Sequence, residues 1–403
     1  MALTSIVLLA TGVAGAVARP FRLPAWLIPL VCAVGTISLG AISPAAAHHA
    51  LNPLAEPIAF LLTAVPLAIL LDRVGFFSSV ADRLVATGRG AGSLWILAAV
   101  VTTVLNLDAS VVLLTPLYVR IARQTGRNSL TLAFQPVLLA CLASSALPVS
   151  NLTNLIAASW TSTESTAFIT HLALPSLAAT VVGWWRYQQV LRPDNRPSTG
   201  QNPADPTFAT QPAESPPADP RRALRIGGLI LVAVLIGFVA GPSLGIHPWM
   251  VAFAADLVLV AIVSETPWTE IPWGTALVAG SLGVLAAAAV EHLPINHVIS
   301  TNSTTRALAG TIAATAITAN IINNLPALLV SLPIIGHHPT TAVWAVLIGV
   351  NMGPVILPTG SLASGVSPNY IGHLAGQLRR WLRPRPCVGA RPALRPASLP
   401  STN

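Results

Sequence analysis

The sequence contains no lysine, and charged residues of either sign fill only 8% of its 403 positions. A soluble domain carries roughly 25% charged side chains, so this chain lacks the polar cover that a water-facing surface needs. That shortage excludes a soluble enzyme, a soluble nucleic-acid binder and a disordered scaffold. Cysteine is scarce too. Cys32, Cys141 and Cys387 have no metal-ligand spacing, and their odd count gives no disulfide framework. Cys32 and Cys141 fall inside apolar runs, where a small hydrophobe is the ordinary role. The pairs His48-His49 and His337-His338 lack the three or four convergent ligands of a metal site, and are expected in loops outside the membrane. No Walker motif occurs, so any use of ATP needs a separate subunit. Nothing basic precedes the first apolar run, which argues against a signal peptide cleaved after Ala16-Val17-Ala18. Neither a cofactor nor a resident metal is expected.

What is present is apolar length. Hydrophobic residues make up 53% of the chain and the mean hydropathy is +0.71, with room for on the order of ten spans of about 20 residues. The expectation is a multi-pass protein of the cell membrane. All 21 cationic residues are arginines, against 13 acids, and they sit in short loops between apolar runs, which is the positive-inside pattern. The first half has runs at about 1–18, 25–43, 54–71, 93–119, 130–160 and 167–185. The second has runs at about 223–241, 248–263, 274–290, 305–335 and 341–363. Between the halves, residues 192–225 are rich in proline and polar residues and cannot bury a core. Four segments follow: a first repeat (1–191), a cytoplasmic linker (192–225), a second, incomplete repeat (226–365) and a basic, disordered tail (366–403).

Arginine placement sets the topology. Arg19 and Arg22 hold the first loop inside, and Arg73, Arg83 and Arg89 hold the end of the third run inside, where 75–86 reads as an interfacial amphipathic helix. A single crossing at 93–119 would put Arg120, Arg123 and Arg127 outside. Two short arms forming a re-entrant hairpin, with Asn106-Leu107-Asp108 at the tip, avoid this. Counting onward, the second half runs in the opposite direction, with its own hairpin at 305–335. The fold class expected is therefore all-α, with two inverted-topology repeats, two re-entrant hairpins and two broken helices. VLNLDASVVLLTPL answers IINNLPALLVSLPI, with Asn106 opposite Asn323, Leu107 opposite Asn324 and Pro116 opposite Pro333. Some 35 to 40 residues later come ALPVSNLTNLIAAS (146–159) and GPVILPTGSLASG (353–365). Paired breaks at matching positions point to a transporter's binding site, because backbone groups freed by unwinding cannot face lipid.

At LNLDASVVLLTPL, ALPVSNLTNLIAA, INNLPALLVSLPI and GVNMGPVILPTGSLAS the chain resembles the arsenite efflux permeases of the ion transporter superfamily, over about residues 1–365. That family has Asn-Asn-Asp at the first tip, where this chain has Asn106-Leu107-Asp108, and it continues with a further span after the Gly-Ser-Leu-Ala match. The resemblance implies export of arsenite or antimonite, driven by proton exchange or by a partner ATPase. A sodium-coupled carboxylate or sodium/proton carrier of the same superfamily is the alternative, and a truncated, non-transporting remnant is another.

Asp108 is the sharpest candidate. A charge between two apolar arms costs about 2.5–3.5 kcal/mol on insertion scales, so an acid there is read as functional by default. It suits reversible proton binding; capping of the second arm is the competing role and is compatible with the first. Asp256, in AFAADLVLV, is the other embedded acid, but no chain break accompanies it. Ser150, Asn151, Thr153 and Asn154 supply neutral donors and acceptors at the first interruption. Asn323, Asn324, Thr359, Gly360 and Ser361 form the matching set, with Asn351 in the last of the four stretches. Arsenous acid is uncharged and presents hydroxyls, which amides and hydroxyls suit better than a cationic clamp. A dicarboxylate would favour arginine or helix N-termini, and no arginine lies in either interruption. The competing role for each of these residues is structural bonding between helices. The expected partners are a small inorganic or anionic substrate, a coupling proton rather than sodium, the lipid bilayer, a separate ATPase subunit as an option, and a second copy of the chain. No nucleic acid is expected. After Ser364 no spanning run appears, so a counterpart to 167–185 is missing and transport is expected to be impaired unless a neighbouring subunit covers the second broken helix.

The linker gives the first prediction. A cysteine replacing Thr207 should react with membrane-impermeant reagents only from the cytoplasmic side, and labelling from outside intact cells would overturn the topology.

Overall fold

Helix-forming apolar runs broken by proline, glycine and asparagine fold as an all-α chain. The computed structural model describes residues 2–86, 90–190, 219–292, 299, 303–336 and 340–355, and among these residues there is no strand. The helices are α1 (Ala2–Ala18), α2 (Leu27–Ser38), α3 (Pro44–Arg73), α4 (Phe76–Ala86), α5 (Ala91–Val104), α6 (Leu107–Gln124), α7 (Ser129–Leu142) and α8 (Leu152–Thr161). They continue as α9 (Ser165–Val190), α10 (Pro220–Ala240), α11 (Pro248–Val263), α12 (Trp273–Ala289), α13 (Thr305–Ile322), α14 (Asn324–Ile335) and α15 (Thr341–Met352).

Among the described residues three helices are long and apolar enough to cross a bilayer unaided: α3, α9 over Ser165–Gln189, and α10. The hairpin arm α14 and the half-helices α7, α8 and α15 have 10 to 14 residues. At about 1.5 Å per residue none of these four reaches across a hydrocarbon core of about 30 Å. They must pair to do so. Of the long helices, α3 is interior, with 61% of its most apolar stretch buried against 22% for α9 and for α10. Its Phe60, Leu67, Leu70 and Leu71 enter one core cluster with α4–α7, while Leu54, Leu61 and Val65 enter a second with α1, α12 and α14. The outer faces of α9, α10 and α11 leave Leu174, Leu229, Ile236 and Leu257 more than half exposed. Such a belt fits hydrocarbon and not water.

Helix α11 lies along α3 and runs the same way. His247 Nδ1, just before α11, is 3.1 Å from Glu56 Oε1 on α3, and Arg73 at the end of α3 meets Glu265 at 3.2 Å and Glu270 at 2.8 Å in the loop after α11. These polar contacts mark the two ends of a largely apolar seam, with Asp256 on the buried face of α11 between them. The hairpins take the expected form. Leu105 and Asn106 alone separate α5 from α6, and the Tyr118 hydroxyl donates to the Leu94 carbonyl across the arms' far ends. Asn323 alone separates α13 from α14.

Three expectations need correction. His48 and His49 are not in a loop. Ser43 caps α3 by accepting the Ala46 N–H at 3.1 Å, so the helix begins before the apolar run and carries both histidines on an exposed face. The linker is shorter at its end than composition suggests, because Asp219 accepts the N–H groups of Arg221 and Arg222 and starts α10 at Pro220. Helix α8 resumes at Leu152, so Thr153 and Asn154 are helical residues rather than part of an unwound stretch. His337 and His338 lie outside the described residues.

Helices α13 and α15 approach closely. Gly349 and Gly353 share one face of α15 at i, i+4 spacing, the small-xxx-small arrangement that lets membrane helices touch. A Cβ on Gly353 would meet Ala316 Cα at 2.6 Å, and one on Gly349 would meet the Ile312 carbonyl at 2.5 Å. Backbone cannot step aside as a side chain can. Gly353→Ala should therefore destabilise the protein by about 1–3 kcal/mol, the usual cost of overpacking, read as a lower thermal midpoint in detergent, while Gly310→Ala, where nothing lies within 4 Å, should not.

Candidate functional site

The first broken helix is held open by its own side chains. Helix α7 stops at Leu142, a short 3-10 turn covers Pro148–Ser150, and Asn151 restarts the chain as the cap of α8, accepting the Thr153 N–H at 3.1 Å. The carbonyls freed between them are claimed at once. Ser150 Oγ lies 2.7 Å from the Ser144 carbonyl and 2.6 Å from that of Leu147. The Asn154 amide donates into the carbonyls of Ser144, Ser145 and Leu147, at 3.1, 3.2 and 2.9 Å. Ser144, Ser145, Ser150 and Asn154 are buried and Leu147 half-buried, so these bonds answer a need that lipid could not meet.

One residue from the other half of the chain completes the set. Asn351, one residue before the end of α15, accepts at Oδ1 from Thr153 Oγ1 at 2.6 Å and from Asn151 Nδ2 at 3.1 Å. Its own Nδ2 donates to Asn154 Oδ1 at 2.6 Å. Four of the residues singled out from sequence, Asn151, Thr153, Asn154 and Asn351, thus form one neutral network, with Ser150 beside it. It joins the two halves of the chain across nearly 200 residues.

The hairpins meet the half-helix ends about one turn before their tips, through Thr103 and Asn320. Asn106 is fully buried, and its carbonyl receives the Ser110 N–H at 3.0 Å and the Ser110 hydroxyl at 2.7 Å. Asp108 stands in the first turn of α6, and its side chain lies outside the described atoms. Asn323 turns the second tip at φ 78° and ψ 160°, a conformation that costs a non-glycine residue roughly 1–3 kcal/mol and clusters at functional sites. Asn324 Oδ1 accepts the Leu325 N–H at 2.8 Å. Two further contacts escaped the sequence reading. Thr103 Oγ1 is 2.9 Å from the Ala143 carbonyl, at the end of α7. Asn320 Nδ2 is 2.7 Å from the Gly353 carbonyl, at the end of α15. Each stands three residues before its tip asparagine, a match that aligning the two hairpin stretches could have shown.

Thr359, Gly360 and Ser361 lie outside the described residues. Asp256 is on α11, buried beside Ala252 and Leu259, and not on a hairpin or a break. Among the described residues no three His, Cys, Asp or Glu side chains gather as metal ligands do.

Hairpins and half-helices packed tip to break, with apolar outer faces and a neutral polar centre, define a multi-pass membrane transporter. Residues 4–351 match the citrate transporter family (CitMHS), and the chain belongs to it. It is 27% identical over 362 residues to the arsenical pump membrane proteins of Escherichia coli (strain K12) and Shigella flexneri, covering 82% of this chain and of each relative. Its identity to the protein of that name from Yersinia enterocolitica is also 27%, over 361 residues, 83% of this chain and 82% of that one.

Asn351 is the hub of the network and gives a prediction. Asn351→Ala strands Asn154 Oδ1 and the Thr153 hydroxyl, at about 1–3 kcal/mol for each buried group left unpaired. Asn351→Asp sets an oxygen against Asn154 Oδ1 and should be no milder. Both variants should show a lowered thermal midpoint and lost transport, whereas a distant polar change such as Ser93→Ala should leave both measurements alone.

Proposed function

We propose that this transporter exports arsenite or antimonite by alternating access, in exchange for protons. The observation that carries the reading is the neutral chemistry of the network. Every described side chain in it is an amide or a hydroxyl, suited to an uncharged, hydroxyl-bearing solute and without the arginine that would clamp a carboxylate. The relatives named arsenical pump membrane protein support the same substrate.

Two inverted repeats, 1–191 and 226–365, form the transporter in this reading, joined by the cytoplasmic linker 192–225, of which Pro220 onward belongs to α10. Packing supports the pairing. Helix α5 packs on α7 as α13 packs on α15, α3 on α6 as α12 on α14, and α6 on α7 as α14 on α15. Pro116 and Pro333 stand at the same register in their arms. Substrate binds where the tips, Asn106 with Asp108 and Asn323 with Asn324, face the breaks, contacted by Ser150, Asn151, Thr153, Asn154 and Asn351 and by Thr359, Gly360 and Ser361. Asp108 takes up the proton from the side to which substrate is released. A partner ATPase is the other means of drive.

The family's description as citrate transporters favours a second reading, a sodium-coupled carboxylate carrier. Everted membrane vesicles separate the two. Accumulation of arsenite that depends on a proton gradient, is indifferent to sodium and is not competed by citrate supports export of the metalloid. Sodium-dependent citrate uptake without arsenite movement replaces it with the second reading. Asp108→Asn should insert and fold normally yet lose proton-driven accumulation, and normal pH-dependent transport by this variant would leave Asp108 a helix cap only.

A further inference from the structure

We propose that Thr103 and Asn320 are equivalent positioning residues, each fastening a hairpin tip to the end of its neighbouring half-helix so that tip and break move as one body. The geometry repeats in detail. Thr103 precedes Asn106 by three residues, and Asn320 precedes Asn323 by three. Thr103 Oγ1 reaches two carbonyls, that of Ala99 one turn back in its own helix and that of Ala143, each at 2.9 Å. Asn320 Nδ2 also reaches two, that of Ala316 one turn back and that of Gly353, each at 2.7 Å. Ala143 and Gly353 hold the same place, the residue that closes the half-helix before its break. A helix end has carbonyls without an intrahelical donor, and lipid supplies none. In both halves the hairpin supplies the donor.

The bond to the residue's own helix matters as much as the bond across. It pins each side chain in the rotamer that faces the break, so little freedom is lost in making the second contact. The two fastenings differ in strength. The amide of Asn320 has two hydrogens and can give one to each carbonyl, whereas the single hydroxyl proton of Thr103 is shared. Asn320 is buried and Thr103 half-buried, and the Asn320 contact lies beside the close approach of Gly353 to Ala316. The second unit is therefore the stiffer one. Binding groups on tip and break keep their spacing only while the unit holds, and small displacements of positioning groups are costly.

The substrate assay rests on the arsenite reading, whereas crosslinking does not, so the two can fail separately. In full-length protein with Cys32, Cys141 and Cys387 replaced by serine, Thr103→Cys with Ala143→Cys should form a disulfide in proteoliposomes. Its yield should be the same under inward and outward proton gradients, and arsenite transport after oxidation should stay within about twofold of the reduced protein. Absence of a crosslink, a yield that follows the gradient, or transport abolished by oxidation would each show that the tip parts from the break, and would overturn the proposal. Single variants give the second measurement. Thr103→Val should raise the KM for arsenite by about tenfold with kcat little changed, Thr103→Ser should restore it, and Asn320→Leu should do more harm than Thr103→Val. A Thr103→Val protein with unaltered KM would overturn the positioning role. If the crosslink forms as expected but even the unsubstituted protein moves no arsenite, the substrate reading fails and the fastening stands.

Discussion

A membrane helix that stops partway leaves carbonyl and N–H groups that lipid cannot satisfy, and this protein is arranged around answering them. The answer at the first break is local, from Ser150 and Asn154, whose hydroxyl and amide take up the carbonyls of Ser144, Ser145 and Leu147. It is then extended across the molecule by Asn351, which orients Asn151, Thr153 and Asn154 together. Breaking the helices and joining the two halves of the chain are thus one structural event. Without Asn351 the amide of Asn154 would still serve its carbonyls, but its own oxygen would have no donor in a buried site.

The remaining packing keeps this centre from being pulled apart. Helix α3 stands between two core clusters and touches elements of both halves, so neither half closes its core alone. Charged side chains meet around α3 at Glu56 with His247, at Arg73 with Glu265 and Glu270, and at Arg120 with Asp82. Exposed pairs of this kind add about 0–1 kcal/mol each, too little to hold the bundle. Shape does more. Gly349 and Gly353 bring the backbone of α15 onto α13 at the level of the second fastening, and dispersion over that contact is what a membrane interior has to offer in place of the hydrophobic effect.

The sequence made the helices, the hairpins and the first break legible because each is written in local chemistry: long apolar runs, and proline or asparagine where they stop. Ser150, Asn151, Thr153, Asn154 and Asn351 could be picked out because an amide or hydroxyl inside an apolar run is conspicuous. Their connectivity could not. Which lone pair Asn351 presents to Thr153 depends on how α15 is rotated against α8, and that rotation is set by Gly349 and Gly353 fitting against α13, not by anything local to Asn351. The role of Thr103 is hidden for a different reason. A threonine in a membrane helix normally bonds one turn back, as Thr103 does to Ala99, and only the neighbouring helix end gives it a second role. His48 and His49 were misplaced because hydropathy marks where a chain is apolar and not where it is helical; the Ser43 cap starts α3 early.

The self-sufficiency of the network bears on what it could carry. Asn351 uses both its oxygen and its nitrogen within the protein, and Asn151 uses its oxygen on the Thr153 N–H and its nitrogen on Asn351 and on the Ser144 hydroxyl at 3.4 Å. A solute entering this centre would therefore exchange hydrogen bonds and not simply add them. Exchange among neutral partners is close to balanced, which favours weak binding and ready release. A hydroxyl-bearing neutral molecule can both donate and accept in such an exchange. A carboxylate can only accept, and it would bring a charge into a buried network whose described side chains offer no cation to meet it. Under the proposed reading, neutrality of the centre is what lets the substrate leave.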